Sequence, residues 1–252
     1  CMALARREGL PVSFVAGSGG TLSDALVRHE CVDCLSFVGG RSHGRDVASA
    51  LVDTTKRYML EMEGVNAYGV WEFSDWKSLA GQVRKGFEYA KQRCTAYPRF
   101  VVQRRLLPEF LDMYLGVVKS VTCGHPLLVR DDSDALPELD FGPLINTQKV
   151  EELRTMWSEA VGGGGLPIFQ GRLEADRLLP GQDASAYAAP ATLLNIPRSC
   201  RLYHAEPFGP LDAIITVDRL EELVAEMNVS NGNLTASIAT DDAEIAERVR
   251  QE

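Results

Sequence analysis

No stretch of the sequence approaches the ~18 apolar residues that a membrane-spanning helix requires. Basic charge is not in excess either: 26 Lys and Arg stand against 35 Asp and Glu, a formal net charge of -9. That balance argues against a nucleic-acid or anionic-membrane partner. The opening residues, CMALARREGLPVSFV, put Arg6, Arg7 and Glu8 where a secretory leader has its apolar core, so no leader is expected. The six cysteines, at 1, 31, 34, 94, 123 and 200, are scattered through a chain long enough to bury its own core. They are read as reduced thiols in a cytoplasmic protein rather than as disulfide staples. An initiator Met is missing from position 1, and the chain opens and closes in helical sequence. Both ends are expected to be cuts from a longer polypeptide.

What is present is ordinary for a globular protein, 45% hydrophobic and 24% charged, with strands and helices in alternation. PVSFVAG reads as a strand, TLSDALVRHE as a helix, CVDCLSFVGG as a buried strand, HGRDVASALVDTTK as a helix and RYMLEMEG as a strand. This order predicts parallel βαβ units of a doubly wound sheet. A second α/β unit follows from NAYGVWEF: helix DWKSLAGQVRKGFEYAKQ, strand RFVVQ, helix LLPEFLDMYLGVVKSV and a polar loop at VRDDSDALPELDFGP. Helix TQKVEELRTMWSEAV then runs into GGGG, read as a flexible turn. Strands near PATLLNIP and LDAIITV and helix RLEELVAEMN complete the unit.

Several clusters are candidate sites. Gly39 and Gly40 end a strand and Gly44 opens the next helix, leaving backbone N–H groups for a phosphate; the spacing matches neither the dinucleotide nor the P-loop pattern. A structural turn is the competing reading. Cys31-x-x-Cys34, with His29 upstream, lacks a second ligand pair, and Cys34 lies in the apolar CLSFV. Core cysteines are therefore expected there, with no metal. Glu61 and Glu63 alternate on an extended strand and so share a face, as paired functional acids or as a solvated strand end. Cys94, between helix formers and strand formers, is a candidate nucleophile, although a lone cysteine is usually structural. Glu206 precedes Phe208-Gly209-Pro210 at a turn into a strand.

Taken in order, these stretches resemble the aldehyde dehydrogenase superfamily across nearly the whole chain. SFVGG…G resembles the family's FTGS…G, LEMEG its LELGG, and F-x-x-x-x-Q-R-C its F-x-N-x-G-Q-x-C. FGPLI, PATLL, EPFGP and N…GNLTASIATDD resemble GPLI, PTVL, EEIFGP and N…YGLAASVFTRD. The departures are Glu63 for Gly, Val65 for Lys, Tyr89 for Asn, Lys91 for Gly, and Gly40 at the usual Ser position.

The resemblance implies a fold and a set of roles. The fold is α/β: a partial doubly wound dinucleotide-binding domain over residues 1–64, then an α/β catalytic domain over 65–252, truncated at its C-terminus. Cys94 falls on the nucleophile, its sulfur facing the cleft between domains, and Glu61 on the base that activates water. Gly39, Gly40 and Gly44 fall beside the phosphates of NAD or NADP; Glu206 falls on the acid that holds the nicotinamide-side ribose, with Phe208 beside it. The implied reaction is oxidation of an aldehyde to a carboxylic acid through a thiohemiacetal and a thioester. Its partners are a small aldehyde and, for the full-length parent, a homo-oligomer. Residues beyond this chain would supply the oxyanion-hole Asn, a cofactor-binding Lys and the dimerisation arm, so activity of these residues alone is not expected. QRCTAYPR slightly resembles semialdehyde-oxidising branches. Two alternatives stand beside this reading: a CoA-acylating dehydrogenase, which Glu61 argues against, and a non-catalytic assembly or binding module.

Overall fold

The computed structural model describes residues 2–129, 131, 133, 135–230 and 232–251. Cys1, Arg130, Asp132 and Asp134 in VRDDSDALPELDFGP, Asn231 before GNLTASIATDD, and Glu252 at the end of the sequence lie outside the described residues. The chain divides into two compact units, Cys1–Met62 and Glu63–Glu252.

The first unit runs α1 (Met2–Arg7), α2 (Gly19–Arg28), β1 (Cys34–Gly39), α3 (Arg41–Leu51) and β2 (Arg57–Met62). β1 and β2 pair in parallel, Cys34 opposite Arg57 and Gly39 opposite Met62, and α3 makes the crossover that parallel pairing demands. Val27 of α2 and Val47 and Leu51 of α3 are buried against Leu35, Phe37 and Leu60. Of the side chains that alternate with these, Val38 is 74% exposed and Met59 is exposed; Tyr58, opposite Leu35 on the helix-side face, is exposed as well. Three expectations are corrected here. Residues 11–17 form no strand, because among the described residues no neighbouring strand completes their backbone hydrogen bonds. CVDCLSFVGG yields a strand that is only partly covered, and Cys31 and Cys34 are exposed rather than core residues. Cys34 shares its face with Val38, and the helices pack on the other face. Among the described residues no group of three His, Cys, Asp or Glu side chains could hold a metal.

The second unit runs β3 (Ala67–Val70), α4 (Trp76–Gly86), β4 (Arg99–Gln103), α5 (Leu107–Ser120), α6 (Thr147–Gly162), β5 (Leu166–Gln170), β6 (Ala191–Leu194), β7 (Leu211–Val217), α7 (Leu220–Met227), β8 (Ala236–Ala239) and α8 (Ala243–Gln251). Its sheet has the order β5-β6-β7-β4-β3-β8. Every pair is parallel except β5 with β6. RFVVQ is buried at each position, as a central parallel strand covered on both faces must be. Phe100 and Val102 pack with Leu79 and Val83 of α4 and Phe110, Tyr114 and Val118 of α5. Val101 turns to the opposite face, with Leu220, Leu223 and Met227 of α7. A third cluster joins Val150, Leu153 and Met156 of α6 to Leu193, Leu211, Ala213 and Ile215.

Local chemistry sets several helix starts. Asp75 accepts from Ser78 N–H to cap α4, and Asn146 accepts from Lys149 N–H to cap α6. The glycine run closes α6: Gly165 N–H returns to Ala160 O at 2.8 Å, and Gly164 takes φ +105°, which glycine adopts without a Cβ clash. Strands β5 and β8, in LPIFQ and LTASIA, escaped the sequence reading. The helix expected to run through KGFEYAKQ stops at Gly86.

Candidate active site

Between α4 and β4 the backbone turns through an unusual left-handed stretch. Tyr89, Ala90 and Lys91 have φ of 56°, 54° and 56°. Each such residue other than glycine costs about 1–2 kcal/mol, so the surroundings must hold the turn in place. Phe87 and Ala90 are buried without residual exposure, and Ala90 N–H and Gln92 N–H donate to the carbonyls of Phe87 and Tyr89. The Lys91 ammonium is also inside the protein. It donates to both oxygens of Asp212 at 2.7 Å and to Tyr97 O at 3.0 Å. It lies 4.4 Å from the Phe87 ring centroid and 5.3 Å from that of Phe100. Asp212 also accepts from Tyr114 OH at 2.7 Å, and Tyr114 OH lies 2.8 Å from Thr192 Oγ1. Burial lowers the Lys91 ammonium from its ordinary range against the pull of Asp212, and burial raises Asp212 and Tyr114.

Cys94 follows on a tight turn closed by Ala96 N–H to Arg93 O, and it is exposed. Its backbone is held by Asn66, fully buried at the entrance to β3. Asn66 Nδ2 donates to Cys94 O at 2.7 Å and Ala96 O at 2.8 Å, while Oδ1 accepts from Leu234 and Thr235 N–H at 2.9 and 3.0 Å. All hydrogen-bonding positions of this buried amide are engaged, as burial requires. Gln92 Oε1 accepts from Ile145 N–H at 2.9 Å. Arg93 is committed to α4, donating to Lys85 O at 3.0 Å and pairing with Glu88 at 3.7 Å. Among the described residues, Cys94 N–H donates to no acceptor.

The Glu206–Phe208 turn brings further groups. Glu206 is buried at 8% exposure, and its carboxyl is pushed up to about 7 by burial first and by the charge of Glu63 second. Gly64 N–H and the Lys149 ammonium oppose that rise. A Cβ on Gly64 would stand 2.2 Å from Gly232 O, and one on Gly209 2.5 Å from Leu153 Cδ1, so both turns require glycine. Phe208, with φ 48°, shares a cavity of about 680 Å³ with Tyr89, Gln92, Phe141, Pro143 and Ile145. The structure therefore sets the turn before Cys94 and the turn after Glu206 on one cavity rim. Cys94, Asn66, Glu206 and residues 234–235 all lie just before their strands, at the amino ends of the parallel sheet.

The remaining sequence candidates, Glu63 apart, belong to the first unit. Glu61 is exposed on β2, opposite Val38. β2 ends at Met62, so strand alternation does not extend to Glu63, which falls in the second unit. Gly39 closes β1 and Gly40 caps α3. Gly44 lies inside α3 rather than opening it; its N–H donates to Gly40 O, and a Cβ there would meet Met62 Sδ at 2.4 Å. Its visible work is close packing of helix against strand. Gly39 and Gly40 line a cavity of about 510 Å³ together with Gly19, Gly20 and His43. Sequence reasoning missed Asn66, Lys91 as a buried group, and Asp212. The signal for the first and last was a lone polar residue within the apolar runs VNAYGV and PLDAIITV.

Together, the parallel glycine-turn unit and the mixed six-stranded unit define an α/β chain whose central candidate is one exposed thiol on a backbone fixed from several sides. The chain belongs to the aldehyde dehydrogenase family, whose pattern matches residues 1–252. It is 25% identical, over 99% of its length, to the 3,6-anhydro-alpha-L-galactose dehydrogenase of Vibrio sp. (strain EJY3), covering 50% of that protein. It is 28% identical, over 93% of its length, to the alpha-ketoglutaric semialdehyde dehydrogenase of Bacillus subtilis (strain 168), covering 46%. The chain thus spans about half the length of the curated relatives it matches. Its fold matches the crystal structure of an NAD-dependent aldehyde dehydrogenase from Sinorhizobium meliloti with TM-score 0.86 at 24% identity, over 99% of this chain and 48% of that one. It also matches an NADP-dependent glyceraldehyde-3-phosphate dehydrogenase from Bacillus halodurans C-125 complexed with NADP, with TM-score 0.78 at 25% identity, over 94% and 46%.

Proposed function

We propose that the protein of which this chain forms a part oxidises a small aldehyde to a carboxylic acid, with Cys94 as the nucleophile. The observation that carries the reading is the exposed Cys94 thiol on a turn whose backbone is held by Asn66, with its own N–H uncommitted among the described residues. The sulfur attacks the carbonyl carbon, and Cys94 N–H donates to the oxyanion of the resulting thiohemiacetal. A nicotinamide cofactor, when bound, would supply the hydride-accepting chemistry, and Cys94 would carry the thioester left once that carbon has lost hydride. Glu61 takes a proton from water as the water attacks the thioester; the C–S bond breaks, releasing the acid and restoring the thiolate.

Residues 1–64 are assigned to the cofactor domain and 65–252 to the catalytic domain. The glycine turn fits the anionic part of NAD or NADP: the cavity at Gly39 and Gly40 lies at the carboxyl end of β1 and at the starts of α2 and α3, whose first turns carry no acid. Helix starts favour phosphate there. Glu206 fits a ribose, since a buried carboxylate with one backbone donor retains lone pairs for hydroxyl groups. A homo-oligomeric assembly and a cytoplasmic location complete the proposal, and the net charge of -9 supports the absence of a nucleic-acid partner.

The test is NADH or NADPH formation by the full-length protein across aliphatic aldehydes and semialdehydes, with intact-mass analysis in parallel. Activity lost in Cys94→Ala, and an acyl adduct that accumulates in Glu61→Gln, are the expected results. One observation favours a non-catalytic module instead: the Glu63 charge acting on Glu206. A folded protein that binds the cofactor yet yields neither reduced cofactor nor adduct would establish that rival.

A further inference from the structure

We propose that Lys91 and Asp212 form a positioning pair that sets the geometry of the Cys94 turn, through the ammonium bridging Tyr97 O and β7; the proposal rests on Cys94 being the reactive thiol. The ammonium has three N–H donors and three acceptors, the two Asp212 oxygens and Tyr97 O. Residues 91 and 97 bracket Cys94, so one side chain ties both ends of the segment that carries the thiol. Asp212 is itself fixed: it sits opposite Thr192 in the β6–β7 register and accepts from Tyr114 OH. Phe87 and Phe100 present ring faces to the ammonium. The chain of contacts is thus continuous from the sheet, through a carboxylate and an ammonium, to the two ends of the Cys94 segment.

Stability alone is a poor explanation for this arrangement. A fully buried ion pair is commonly replaceable by apolar side chains of like volume without loss of stability, because desolvation offsets the attraction. Lys91 also adopts a left-handed φ that would suit glycine. Two unfavourable choices at one position, three residues before the exposed thiol, point to registry of the turn. An isosteric apolar pair would fill the same volume but would leave Tyr97 O without its donor and the bracket open.

The experiment compares the full-length protein with its Lys91→Met/Asp212→Leu double variant and, as a milder change, Tyr114→Phe. Each is checked for folding by circular dichroism and then alkylated with iodoacetamide from pH 6 to 10, with the adduct on Cys94 quantified by peptide mass. Steady-state kinetics are run in parallel. The expected result is a shifted pH profile of Cys94 alkylation with a rate change of about tenfold in the folded double variant. A smaller shift in the same direction is expected in Tyr114→Phe, which also decides the matter if the double variant does not fold. kcat should fall by at least about tenfold with KM for the aldehyde little changed, the pattern of an interaction that matters in the transition state. An unchanged alkylation profile in the folded variants overturns the proposal, whatever kcat does. If the parent protein oxidises no aldehyde but the alkylation profile still shifts, the positioning pair stands and the proposed function fails.

Discussion

The two units place their candidate chemistry at opposite ends of their parallel strands. In the first, Gly39 ends β1 and Gly40 follows it at the carboxyl end, where helix starts and strand ends ordinarily make a nucleotide cavity. In the second, Cys94, Asn66 and Glu206 precede β4, β3 and β7 at the amino ends. The units also differ in how their apolar surface is used. Arg99, Tyr114, Phe110 and Leu193 are among many fully buried side chains of the second, whereas the first has a core of Val27, Val47 and Leu51 beneath a sheet with exposed Val38, Tyr58 and Met59. The glycine turn of the first unit thus rests on a few packed side chains, whereas Cys94 belongs to the unit with the larger core.

Substitutions should separate the units. All three tryptophans, Trp71, Trp76 and Trp157, belong to the second unit, so tryptophan fluorescence during urea unfolding reports on that unit. Phe110→Ala should destabilise it by about 3–5 kcal/mol, while Leu51→Ala in α3 should leave the fluorescence midpoint in place and accelerate amide exchange in α3. If Leu51→Ala moves that midpoint as far as Phe110→Ala does, the two units unfold as one and the contrast drawn above is broken.

A smaller effect is expected at the support of the thiol. Asn66→Ala removes four hydrogen bonds from buried or half-buried backbone groups and should cost about 2–3 kcal/mol. Faster amide exchange at Leu234 and Thr235, measured by NMR, would localise the loss; unchanged protection there would show that Asn66 is not what holds them.

The smallest effect concerns pH. The Glu206 carboxyl is raised to about 7 from an ordinary 4.5, so the stability it contributes is complete below about 4.5 and is lost as pH rises through about 7. Glu206→Gln should therefore gain on the wild type by about 1–2 kcal/mol between pH 5 and pH 8, with its contact with solvent allowed for. Parallel stability curves for the two proteins over that range would remove the buried-acid account.

The α/β class and most of the helices were legible because apolar periodicity and capping residues agree with the final packing, as at Asp75 and Asn146. The motif order made the family legible as well. The left-handed turn was not, since Glu88, Ala90, Lys91 and Gln92 are all good helix formers and only contacts far away in sequence override them. Lys91 read as one more solvated lysine, because its partner lies in β7. PVSFVAG has strand-forming residues but no strand to pair with among the described residues, and LPIFQ carries a proline at its second position, a residue that belongs on a sheet edge. The position of the thiol was thus readable, but the side chains that hold it were not, since hydrogen bonds between distant segments leave no periodic trace.

Asn66 carries a consequence for the order of assembly. Its amide joins Cys94 to Leu234, a partner 168 positions from Asn66 along the chain. During synthesis from the amino end, the segment around Cys94 leaves the ribosome long before residues 234–235 are available, and closing so long a loop is slow relative to forming local helices. The Cys94 segment would spend that interval on a partly secured backbone, reaching its final shape only when residues 234–235 arrive, so the timing of that turn is set by an amide at the threshold of β3.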